Sequence, residues 1–69
     1  MELDALFDIF KIAIDNEREA HEFYKKAAAG TFDPDAKKLF EDLASVELRH
    51  ENLLQEKYRD MKERFSSPR

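Results

Sequence analysis

The residues best suited to chemistry are Glu47 and His50, which form an E-x-x-H step within Val46-Glu47-Leu48-Arg49-His50. A helix turns about 100° per residue, so the two side chains project from adjacent turns in the same direction. With Glu47 as the zero of a helical wheel, Ala36, Phe40, Leu43, Leu54, Tyr58, Met61 and Phe65 all fall within about 40° of it. The carboxylate is therefore expected near the middle of an apolar stripe, pointing into a core. A lone ionised Glu in such a place is costly unless a charge or hydrogen bonds meet it. For a Glu and a His on successive turns, a metal ion is the simplest partner. The plainer alternative is a core histidine satisfied by a neighbouring Glu, without metal.

Glu17 repeats the pattern earlier in the chain, with Leu6, Phe10, Ala13, Tyr24 and Ala28 within about 40° of it. His21, one turn on, could add a ligand or a supporting hydrogen bond, although a place at the rim suits it better. Tyr24, a further turn on, could donate a hydrogen bond to a ligating carboxylate or simply pack against Phe40. Tyr58, Met61 and Phe65 are expected as core at the apolar end. Glu19, Glu22, Glu41, Asp42, Glu51 and Glu56 are expected on solvated faces with ion pairs along the helix.

These side chains need two long helices to hold them. Asp4 is a candidate N-cap for a first helix running to about residue 29, with Gly30 as its stop. Asp33-Pro34-Asp35 is a strong start signal: an N-cap, a proline at the first helical position and an acid at the positive end of the helix dipole. The second helix is expected from about 34 to 65, with a frayed tail over 66–69 where Pro68 forbids continuation. So short a connection makes the helices antiparallel neighbours. Glu17 lies about 12 residues before the turn and Glu47 about 13 after it, which puts both at one height along the hairpin.

One hairpin thus offers Glu17, Glu47 and His50, too few donors for a divalent ion. Its first helix also carries more apolar surface than one neighbour can cover, with Leu3, Leu6, Phe7, Ile9, Phe10, Ile12, Ala13 and Ile14 spread around it. Pairing two hairpins about a two-fold axis answers both shortages, giving a four-helix bundle with four Glu and two His at its centre. A homodimer or higher homo-oligomer is expected; otherwise the chain is part of a longer protein that covers the same surface.

At 69 residues, with one Gly, two Pro and 41% charged positions, the chain is expected to be a single all-α domain over 1–69. It has no cysteine, which excludes disulfides, thiolate zinc sites, iron–sulfur clusters and rubredoxin-type centres. A net charge of −4 with scattered Lys and Arg offers no basic patch for nucleic acid. Without a membrane-length apolar run or a signal-peptide pattern, a cytoplasmic protein is expected.

The run Glu17-Arg-Glu-Ala-His-Glu-Phe-Tyr24, the Asp33-Pro34 start followed by Lys37-Lys38-Leu39-Phe40, and Glu47-Leu-Arg-His50 through Tyr58 resemble one helical hairpin of the rubrerythrin branch of the ferritin-like superfamily. That family joins two such hairpins in one polypeptide around a di-iron centre that oxidises Fe(II) or reduces peroxide. The resemblance implies a ferritin-like half-domain, with Glu17 and Glu47 as carboxylate ligands, Glu47 as the metal bridge and His50 as a terminal ligand. Tyr24 matches a family tyrosine near the site. A lone hairpin implies assembly between chains, as in the two-helix encapsulated ferritins, to which its ligand spacing is similar. The expected function is a di-iron oxidoreductase using dioxygen or peroxide. Without the cysteine module, peroxide reduction would need an external electron donor. Ligand type also admits manganese or zinc. A non-catalytic, metal-stabilised helical interaction module is the alternative from another class.

Overall fold

A computed structural model describes residues 1–66 as two α-helices, α1 (Leu3–Gly30) and α2 (Pro34–Ser66), packed along each other as an antiparallel hairpin. No strand occurs among the described residues. Ser66 closes α2, while Ser67, Pro68 and Arg69 of the expected frayed tail lie outside the described residues. Among the described residues, no helix is long and apolar enough to cross a membrane.

Both ends of α1 differ from expectation. Helical geometry begins at Leu3, so the N-cap is Glu2, whose side chain makes no cap hydrogen bond. Asp4 sits inside the first turn instead. There it can favour the positive end of the dipole but cannot cap, since capping requires the extended residue that precedes the helix. At the other end α1 runs through Gly30 and stops at Thr31, which is extended (φ −88°, ψ 142°) and gives its N–H to the Ala27 carbonyl at 3.1 Å. No glycine among the described residues has positive φ. An extended exit suits the approach to Pro34, because the residue before a proline is held out of the helical region.

The start of α2 follows the sequence signal. Asp33 Oδ2 accepts the Ala36 N–H at 2.8 Å, and Pro34 occupies a position where no N–H partner is needed. Lys37 Nζ reaches back to the Ala28 carbonyl at 3.3 Å, satisfying an acceptor that the end of α1 leaves free.

Contacts along the hairpin set its register. The Phe7 ring meets Tyr58 edge-on at 5.5 Å, Arg18 meets Glu51 at 3.1 Å, and His21 meets the Ala44 backbone at 2.8 Å. Between them the buried core is thin: Ile14, Ala28, Ala44 and Met61. The molecule is a rod of 56 × 17 × 14 Å with a radius of gyration of 15.9 Å. A compact chain of this length would have a radius near 11 Å. Two helices alone therefore leave one long face uncovered, and Ile9, Ile12, Phe23, Leu39 and Leu53 are 47–64% exposed. Phe65, expected in the core, is 53% exposed, because α2 has 33 residues to the 28 of α1 and its last turns overhang.

Candidate metal centre

Glu17 from the middle of α1 and Glu47 and His50 from the middle of α2 form the one group of potential metal donors among the described residues. One atom from each lies within 4.8 Å of the others. His50 Nδ1 is 3.5 Å from Glu17 Oε2 and 3.9 Å from Glu47 Oε2. Helical periodicity explains the meeting. The two helices run antiparallel there, with Glu17 at the height of Glu47 and His50, so the three side chains meet across the seam.

The environment differs from the buried core expected of them. The Glu17 and Glu47 side chains are 25% and 22% exposed, and His50 is 49% exposed. The wheel directions bring the three side chains together, but a single hairpin leaves them partly open to solvent. Glu17 Oε2 is nevertheless shielded from solvent and has no hydrogen-bond partner among the described residues. His50 is close but outside hydrogen-bond geometry, and Glu47 offers only another acceptor unless it carries a proton. Accordingly the Glu47 carboxyl is held above its ordinary range. A hydrogen bond to Glu17 comes first, then burial and the Glu17 charge, with His50 opposing.

Two acids and an imidazole that converge on a point, with one shielded oxygen lacking a partner, suit a divalent cation. The cation would offset the repulsion between the two carboxylates and meet the acceptor that has no partner. Hard carboxylate oxygens with one nitrogen suit iron or manganese, and zinc fits less selectively. Three protein donors leave further coordination positions of such an ion open.

The neighbours of the cluster take different roles. His21 lies on the side facing α2, and with a carbonyl as its partner its Nδ1 is the donor, to Ala44 at 2.8 Å. That bond ties the helices together and leaves His21 outside the cluster. The Tyr24 ring stacks on Phe40 with centroids 6.3 Å apart and meets Phe23 edge-on at 5.3 Å, the packing role. No hydrogen bond links it to either carboxylate among the described residues.

Glu51, expected on a solvated face, is the residue that wheel reasoning misplaces. Its side chain is only 12% exposed, and its Oε2 accepts from Arg18 Nε, Arg18 Nη2 and Gln55 Nε2. Arg18 follows Glu17 and Glu51 follows His50, so this cross-helix clamp lies level with the cluster and behind it. The available signal is angular: Glu51 sits about 40° from Glu47 on the side shared with Ala44. By contrast, Lys38 and Asp42 form the expected pair within one helix, at 2.7 Å.

A protein-family model described as Rubrerythrin matches residues 2–58 of the chain, a span that contains the whole cluster. No curated protein and no solved structure matches it.

Proposed function

The chain belongs to the rubrerythrin family, ferritin-like proteins that typically bind iron, and from that premise we propose that it is a di-iron carboxylate protein assembled between subunits. Glu17, Glu47 and His50 of one copy and the same three residues of a second bind two ions, and Fe(II) is oxidised there by dioxygen or peroxide. The observation that carries this reading is the convergence of the three side chains on a point where Glu17 Oε2 is shielded from water without a partner.

In this reading the chain's own groups do four things. Glu17 and Glu47 supply the negative charge that draws in a dication and favours the ferric product, since hard oxygen donors bind the higher charge more strongly. His50 turns Nδ1 toward both carboxylates, so its neutral form presents a lone pair to the same point. A cation between Glu47 and Glu17 favours the ionised form of Glu47, opposing the contacts that raise its pKa in the metal-free hairpin. The Arg18–Glu51–Gln55 clamp holds α1 and α2 in register at this height. Iron held by these residues would supply the redox chemistry, one electron from each of two Fe(II) ions, which with two protons suffices to take dioxygen to hydrogen peroxide or peroxide to water. Among the described residues no other His or acidic side chain joins the cluster, so the protein's part is binding, placement and charge.

The test is anaerobic loading with Fe(II), counting of bound iron, and then addition of dioxygen or hydrogen peroxide with the ferric product followed optically. One ion per chain and oxidation at the site are expected. Glu47→Ala should weaken iron binding by at least about 100-fold, the upper end of what losing a mere support to a ligand costs. If that variant binds and oxidises iron as the parent does, the proposal is wrong.

A further inference from the structure

We infer that Glu51 is a positioning residue of the metal cluster: held by Arg18 and Gln55, it fixes which turn of α1 meets which turn of α2, and it does so without adding to the stability of the fold. The inference rests on the proposed metal site and names what keeps its donors together before an ion arrives.

The geometry begins with neighbours in the chain. Arg18 follows Glu17 on α1, and Glu51 follows His50 on α2. Successive helical residues are turned about 100° from each other, and because the helices run antiparallel that turn leads to the same side of the seam on both. Tying Arg18 to Glu51 on one side therefore leaves Glu17 and His50 together on the other, where His50 Nδ1 lies 3.5 Å from Glu17 Oε2. The tie is a single oxygen with three donors: Glu51 Oε2 accepts from Arg18 Nε at 3.2 Å, from Arg18 Nη2 at 3.1 Å and from Gln55 Nε2 at 3.1 Å. Gln55 sits one turn beyond Glu51 on the same helix, so it steadies the carboxylate rather than joining the helices.

Other contacts across the seam tolerate a slide. Phe7 and Phe10, one turn apart on α1, both meet the Tyr58 ring, at 5.5 and 6.4 Å, so a shift trades one for the other. His21 is met by a backbone carbonyl, a group that every residue of α2 carries. The buried core of Ile14, Ala28, Ala44 and Met61 is apolar, and its attraction has no direction. The turn anchors only the near end, since Glu17 lies about 20 Å along α1 from Gly30 at 1.5 Å per residue.

Burial separates position from stability. The Glu51 side chain is 12% exposed and that of Arg18 54%, so folding takes a carboxylate out of water for a partner that stays half in it. In such a pair desolvation consumes much of the attraction, and apolar side chains of similar volume often hold a seam as well or better. What apolar side chains lack is a demand for one particular partner. Fixing register is the best-attested use of a buried polar group of this kind.

The test uses the full chain, with Co(II) as the probe and melting of the metal-free protein beside it. In the double variant Arg18→Met/Glu51→Leu the melting temperature should stay level or rise. Its Co(II) affinity should fall by about 10- to 100-fold, the usual cost of losing a support to a ligand, and the visible Co(II) spectrum should change. Nuclear Overhauser contacts between the His50 ring and the Glu17 side chain should weaken in the metal-free double variant, a readout that needs no metal. Glu51→Gln keeps an acceptor for Arg18 in the same place without the charge, and should retain most of the parent's affinity. Parent-like Co(II) binding or unchanged Overhauser contacts in the double variant, or a clear fall in its melting temperature, would overturn the assignment. So would a loss in Glu51→Gln as large as that of the double variant, which would assign the effect to charge. If the parent binds no Co(II) while the Overhauser contacts weaken as expected, the metal reading fails and the positioning of Glu17 and His50 by Glu51 stands.

Discussion

The turn and the middle of the hairpin solve the same problem in opposite ways. At the turn the chain supplies partners from within itself: Asp33 caps α2, Thr31 Oγ1 accepts the Asp33 N–H, and Lys37 takes up a carbonyl at the end of α1. In the middle, two carboxylates face each other and, among the described residues, the shielded Glu17 Oε2 has no hydrogen-bond partner, while His50 is half exposed. Buried polar groups in folded proteins are almost always satisfied. A region whose polar groups find partners within the chain serves the fold. One that is unsatisfied at its most central point is where a group from outside the chain would bind, and we propose a cation there with a second copy over it.

The contrast can be broken from either side. The largest effect is the loss of iron binding in Glu47→Ala; in the metal-free protein the same change should leave the melting temperature level or raise it, because it removes one of two opposed carboxylates. A clear drop in the metal-free form would mean that the cluster holds the hairpin together by itself. Next comes Asp33→Ala, which removes a cap worth about 1 kcal/mol and should lower the melting temperature by about 4–8 °C. Iron stoichiometry should stay unchanged, and its loss would show that the turn and the site are not independent.

The smallest effect concerns pH. Glu47 titrates above its ordinary range in the fold, so the folded state holds that proton more tightly than the unfolded chain does. The resulting stability is present below the ordinary glutamate range and is lost as pH rises through the raised value. Metal-free protein should therefore unfold more easily as pH rises through that window, and Glu47→Gln should flatten this part of the profile in denaturant titrations. An equal slope in both proteins would place the titration elsewhere.

Much of this is legible in the residues. Asp33-Pro34 marks a helix start by local chemistry alone, and two apolar wheels joined by a short link leave little choice but a hairpin. The meeting of Glu17, Glu47 and His50 follows from their angles and their distance from the turn, both fixed by helix geometry. What a wheel cannot supply is whether anything stands on the side it points to. Glu17, Glu47 and Phe65 accordingly read as core, yet they border solvent in the single hairpin. Nor can a wheel tell a solvated acid from one clamped across a seam, which is why Glu51 escapes it. The ends of α1 differ because Asp4 and Gly30 are permissive signals: a cap residue can sit one turn too deep, and a glycine can remain helical.

Native mass measurement of the protein loaded anaerobically with Fe(II) bears most directly on the idea that three donors per chain form half of a binuclear site. Assemblies with an even number of chains and one ion per chain, losing both features together in Glu47→Ala, are the expected result. A single chain that holds its iron unaided, or a paired one that holds none, would contradict it.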